Sequence, residues 1–293
     1  MDTNDNLKKK PAIPADRPIL GFLLLLLSAF IFSITAALVK AGAHSAPVGQ
    51  LIFCRFFLGL LALQAARTAG LVRFNAVNRK GLLLRGLFGG VAVICYFLAV
   101  YYGTITHGVI LNSSYPVFVA MFSFLYIGER LRGVVVFPLV AAIVGVVLIV
   151  KPQAGVMQWA DLAGLLSGIF ASFAILTVRK LRETDSPWAI VYFFNLIGTL
   201  LTFPLLAIQP VVYSARAILL MFGIAAGANF SQILLTIAYR NTRASEGSIA
   251  TLSSAIFSAA LGALFFGESL DAATVAGAAF ILSAGVYLST TYR

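Results

Sequence analysis

Asn229, Gln232, Thr236 and Tyr239 follow one another at steps of three, four and three inside one long apolar stretch. Residues so spaced share a face of an α-helix. Amides and hydroxyls are costly against lipid, so this face is expected to look inward, either onto a polar ligand or onto another helix through hydrogen bonds. The apolar run at 107–127 carries Gly108, Asn112, Tyr115 and Val119 at steps of four, three and four. Asn112 and Tyr115 read as a cavity wall offering hydrogen bonds to a solute. Gly108 reads as packing, since small residues are enriched where membrane helices touch. Asn195, Thr199 and Thr202 make a third such face, expected to serve packing. Tyr96, beside Phe97, offers an aromatic lining or a core contact, whereas Tyr101 and Tyr102 suit an interfacial belt. Arg55 is a charge inside an apolar run, and either attracts a carboxylate or holds helix ends together.

Catalytic parts are missing from this inventory. HExxH and GxSxG do not occur, and His44 and His107 stand far apart. The latter begins a run and is expected to be solvated. Every acidic residue, Glu129, Asp161, Glu268 and Asp271 among them, falls in a tail or at the end of an apolar run. Metal, serine and aspartyl chemistry therefore lack their groups, and no cofactor or metal is expected. The lack of a mid-membrane carboxylate also argues against a proton relay and against an acidic cage for a cationic drug. A neutral or zwitterionic solute fits better.

The elements that carry these residues are membrane helices. Hydrophobic residues make up 60% of the 293 and charged ones 11%, against about 45–50% and about 25% in soluble domains. The runs approach the roughly 20 residues that cross a bilayer core. They give ten spans near 19–39, 48–66, 82–102, 107–127, 133–150, 161–178, 187–208, 215–239, 246–266 and 272–290. Residues 1–18 form a polar tail, and the apolar run after it is too long for a signal peptide and is expected to be retained. The net charge of +11 comes from bases in short loops, including Arg79, Lys80 and Arg85, and not from a continuous face, so nucleic acid is excluded as a partner. One set of alternate loops holds nearly all of them, and the other only Lys40, Lys151 and Arg216. The positive-inside rule then places both termini in the cytoplasm. Cys54 and Cys95 lie within runs and read as packing residues.

Gly-Glu-x-Leu ends a span at 128–131 and again at 267–270, and at this offset of 139 the chain matches itself repeatedly. Leu26-Leu27-Ser28 falls on Leu165-Leu166-Ser167, Ser33 on Ser172, Gly108 on Gly247 and Phe118 on Phe257. Asn112, Tyr115 and Val119 fall on Thr251, Ser254 and Ser258, so polar groups recur on corresponding faces. Two copies are read, 19–151 and 152–293, of five spans each. An odd number turns the second copy over, the geometry of alternating-access carriers.

Arg55-Phe56, Pro116 and the two Gly-Glu-x-Leu endings make the chain resemble the drug/metabolite transporter superfamily, in particular the EamA-type bacterial exporters. The resemblance implies ten helices in two five-helix halves. It also implies export of small metabolites, commonly amino acids, through a cavity formed mainly by helices 1, 3, 4, 6, 8 and 9. Phe194 where Arg55 maps, and Ala255 where Pro116 maps, depart from the repeat. The leading expectation is an all-α inner-membrane exporter of small neutral or zwitterionic metabolites, amino acids with aromatic or other apolar side chains included. Its solute contacts are expected among Tyr96, Asn112, Tyr115, Asn229, Gln232, Thr236, Tyr239, Thr251 and Ser254. A multidrug or nucleotide-sugar-type carrier is the alternative within transport, and a receptor or assembly subunit the alternative outside it. The sequence does not fix the oligomeric state.

Overall fold

A computed structural model describes residues 18–127, 136–150, 158–181, 184–208, 214–241 and 244–291. Helices α1 (Pro18–Gly42), α2 (Val48–Thr68), α3 (Arg79–Tyr102), α4 (Ile105–Asn112), α5 (Tyr115–Ile127) and α6 (Val136–Val150) come first. They are followed by α7 (Trp159–Leu181), α8 (Pro187–Thr202), α9 (Leu205–Ile208), α10 (Ala215–Asn241), α11 (Ala244–Phe266) and α12 (Ala272–Thr291). Among the described residues, six segments are long and apolar enough to cross a membrane: Ile19–Gly42, Val48–Thr68, Arg79–Tyr102, Trp159–Val178, Pro187–Ile208 and Ala215–Ala238. Leu252–Phe266 and Ala272–Tyr287 are shorter apolar helices. Phe137, Leu219 and Leu264 are 78%, 74% and 77% exposed, as side chains facing hydrocarbon are.

The span read as one helix over 107–127 is two. Ser113 Oγ donates to the Val109 carbonyl at 2.7 Å and Ser114 Oγ to the Leu111 carbonyl at 2.6 Å. Pro116 has no N–H to offer the Asn112 carbonyl four residues back. The ladder therefore stops at Asn112 and resumes at Tyr115. The supposed single polar face through Gly108, Asn112, Tyr115 and Val119 is divided between α4 and α5.

Packing repeats across the chain. The offset of 139 carries α1 to α7, α2 to α8 and α9, α3 to α10, α4 with α5 to α11, and α6 to α12. Helix α1 packs on α10 and α11, and its counterpart α7 packs on α3 and on α4 with α5; α2 meets α8, and α6 meets α12. Each major contact thus has its image under the exchange. The largest core lies where α1, α2, α3, α8 and α10 converge and includes Ala36, Ile52, Phe56, Tyr96, Val100, Phe194 and Ile224.

Close approach in this core depends on glycine. A Cβ at Gly198 would enter the Phe56 ring, one at Gly59 the Asn229 carboxamide, and one at Gly86 the Ile197 side chain. With small residues at these points, α2, α3, α8 and α10 pack closely enough for dispersion contacts to hold them, in a medium where hydrophobic driving force between helices is weak.

Candidate functional site

Three polar groupings emerge. The first surrounds the α4–α5 break. Asn112 Nδ2 donates to Ser167 Oγ of α7 at 2.9 Å, and that hydroxyl donates to the Gly164 carbonyl at 2.6 Å. Gly168 lets α7 approach the carbonyls of Leu111 and Asn112. Asn112 and Tyr115 are each half-buried, and Ser254 is buried on α11, where its carbonyl accepts from Ser33 Oγ of α1 at 3.0 Å. Thr251 and Tyr239 are placed in their helices, but their side chains lie outside the described residues.

The second grouping joins α2, α8 and α10. Asn195 Nδ2 donates to Asn229 Oδ1 at 2.8 Å, and Asn229 Nδ2 donates to the carbonyls of Arg55 at 3.1 Å and Ala225 at 2.8 Å. The Asn229 carboxamide is committed to tying helices, so of its two readings the packing one holds here. Gln232, one turn on, is half-buried and makes no such bond, while Thr236 Oγ1 returns to the Gln232 carbonyl at 2.7 Å. Thr199 and Thr202 likewise bond to carbonyls of their own helix, at 2.8 and 2.7 Å. Tyr96 is 3% exposed, stacks on Phe32 with centroids 5.0 Å apart, and leaves its hydroxyl without a partner. It is a core residue in this conformation.

Among the described residues, Arg55 neither reaches a helix end nor meets an acid. It is 5% exposed, with its guanidinium carbon 4.4 Å from the Phe56 centroid and 5.0 Å from that of Phe194. The guanidinium of Arg85, 7% exposed, lies over the same ring, 4.4 Å from its centroid. Placing Arg85 in a basic loop is therefore corrected. Asn78 Oδ1 accepts from Gly81 N at 2.9 Å and starts α3 at Arg79, which sets Arg85 nearly two turns inside. The N-cap followed by an unbroken helical run was the signal for this. Gly89, one turn further, leaves the space that the Arg85 guanidinium fills. Such cation–π contacts each contribute about 0.5–2 kcal/mol. They do not supply the acceptors that guanidinium donors need.

The third grouping closes the end of the bundle that carries the α3–α4 turn. Glu268 Oε1 accepts from Ile105 N at 2.6 Å, and Oε2 accepts from Thr106 N at 3.0 Å and Thr106 Oγ1 at 2.7 Å. The carboxylate caps the N-terminus of α4, where the helix dipole favours negative charge. His107 was expected to be solvated; instead its Nδ1 lies 3.1 Å from Asp161 of α7. Lys40 donates to the Gly103 carbonyl, and Tyr101 OH donates to the carbonyls of Ala43 and Ala46 at 3.2 and 3.1 Å. Glu129, the repeat partner of Glu268, lies outside the described residues.

The chain is similar to known proteins. The profile of the EamA-like transporter family matches residues 19–151 and again 158–291. The pseudopaline exporter CntI of Pseudomonas aeruginosa is 33% identical over 282 residues, covering 93% of this chain and 97% of that protein. An uncharacterized transporter of Helicobacter pylori is 28% identical, covering 92% of this chain and 94% of its own length. Human solute carrier family 35 member G1 is 23% identical, with 97% of this chain and 81% of that protein covered. One solved crystal structure superposes with a TM-score of 0.61 at 18% identity, over 92% of this chain and 96% of its own, a likeness of fold. Spans, repeated packing and these relatives together show that the chain is a multi-pass membrane protein and belongs to the EamA-like transporter family.

Proposed function

We propose that the protein is a bacterial inner-membrane carrier that exports small neutral or zwitterionic metabolites, amino acids among them, by alternating access. Ten spans, with α4–α5 and α8–α9 each counted as one, form two five-span repeats of opposite orientation, and both termini face the cytoplasm. The observation that carries this reading is the exchange of packing partners under the 139-residue offset. Two equivalent halves can exchange conformations at equal cost, which is what opening first to one side and then to the other requires. The solute is bound between the halves, near the α4–α5 break and the part of α10 that carries Gln232. Asn112, Tyr115, Gln232, Thr236 and Ser254 offer hydrogen bonds there, and the sequence spacing adds Tyr239 and Thr251.

Similarity to the pseudopaline exporter favours a second reading, export of pseudopaline or a like compound. A proteoliposome screen separates the two. Saturable uptake of amino acids, persisting without a pH difference and with an uncoupler present, supports the first. Uptake of pseudopaline with none of any amino acid supports the second.

A further inference from the structure

We infer that Arg55 and Arg85 form an intramembrane binding site for the carboxylate group of a solute, with the Phe194 ring shared by both guanidinium groups and the Phe56 ring beside Arg55. The inference rests on the carrier reading and narrows its substrate class from neutral or zwitterionic to carboxylate-bearing. Its basis is a deficit of acceptors. Arg55 Nη1, Arg85 Nε and Arg85 Nη1 are fully buried and have no hydrogen-bond partner. The ion pair of His107 with Asp161 involves neither arginine. A buried guanidinium without acceptors bears an uncompensated desolvation cost, and two that share one aromatic ring also repel each other in a low dielectric. Structural arginines in membranes normally pair with acids or carbonyls or reach water. Arg55 Nη1, Arg85 Nε and Arg85 Nη1 have no such partner, and a single anion bound by both guanidinium groups would satisfy donors on both while offsetting their repulsion.

The placement agrees with a carrier. Arg55 and Arg85 come from α2 and α3, before the repeat offset, and Phe194 from α8, after it. The site therefore spans the junction between the halves, which rocking of one half against the other would open and close. Gly89 and Gly198 keep the space around the guanidinium and the Phe56 ring free of Cβ atoms. The repeat supplies Ile224 where Arg85 maps and Phe194 where Arg55 maps, so the two charges belong to one half only.

The test is binding to the full chain in nanodiscs, measured by calorimetry and thermal shift at constant ionic strength. Succinate and glutarate are compared with succinamide, with inorganic phosphate and with chloride. The dicarboxylates are expected to bind and to raise the melting temperature, succinamide to do neither, and phosphate and chloride to act weakly. Arg55→Met and Arg85→Met keep the stem against Phe194 and should each weaken dicarboxylate binding about tenfold or more. Arg67→Met, at an exposed arginine on α2, should leave it unchanged. Equal response to succinamide, or no response of the unmodified chain to either dicarboxylate, overturns the site whether or not the variants fold. Equal response to phosphate or chloride shows an unselective anion site and overturns the carboxylate assignment. Transport in vesicles made from the same preparations separates the two readings. Dicarboxylate binding without flux of any solute leaves the site standing and removes the carrier, whereas carboxylate flux unaltered in both methionine variants removes the site and leaves the carrier.

Discussion

Arg85 owes its position to a residue with no side chain. Its guanidinium occupies the space beside Gly89 on its own helix and lies over Phe194. Gly89→Ala puts a methyl group into that space, and such overpacking costs about 1–3 kcal/mol. In an Arg85→Ala background the closest of the clashes is gone and only the Phe194 ring, at 2.9 Å, still meets the added methyl, so the same change should cost less. A double-mutant cycle read by thermal unfolding in detergent checks this, and equal losses in both backgrounds would contradict the packing described. A second pair of substitutions separates helix-tying amides from free ones. Asn229→Leu should destabilise by at least about 2 kcal/mol, because it strips acceptors and donors from a buried network and forces a branched side chain onto Gly59. Gln232→Leu should stay within about 0.5 kcal/mol and should act instead on solute affinity. Spacing alone puts these two amides on one face and could not tell them apart, because the difference lies in Asn195, a partner 34 residues away.

At the scale of elements, the contact between Glu268 and the N-terminus of α4 joins the α11–α12 turn to the α3–α4 turn. Both partners are repeated in the sequence: Thr106 maps onto Ser245 and Glu268 onto Glu129. Glu268→Ala leaves two helix N–H groups and a hydroxyl without their acceptor and should lower stability by about 1–3 kcal/mol. Glu268→Gln keeps one acceptor oxygen and should recover part of the loss, which melting of the three proteins will show; equal stability of all three would remove the cap from the account. Helix positions themselves were legible, since apolar length and loop bases mark membrane spans directly. The break at Ser113–Ser114 was less so. Pro116 and two serines were visible in the sequence, but membrane helices often accommodate proline, and only the back-bonded hydroxyls show that the ladder stops here. Arg85 was misplaced for a related reason: Arg79 and Lys80 precede it and read as loop, whereas the cap at Asn78 makes all three helical.

For the whole molecule, duplication was readable because small and polar residues match at one offset, and the helix packing has the symmetry that such duplication implies. The chemistry is less symmetric, with the arginine pair confined to the first half. The two halves thus present equal frames and unequal side chains, as a carrier needs if its conformations are to exchange while its solute is bound by particular groups. The central claim, that the halves stand in opposite orientations, has a direct measurement. Ala76, just before α3, and Ala215, the first residue of α10, are exposed and are separated by the repeat offset. With Cys54 and Cys95 replaced by serine, single cysteines at the two positions are treated with a membrane-impermeant maleimide on intact cells and on inside-out vesicles. The account predicts that Ala76→Cys reacts only in the vesicles and Ala215→Cys only on the cells, and reaction of both from the same face would contradict it.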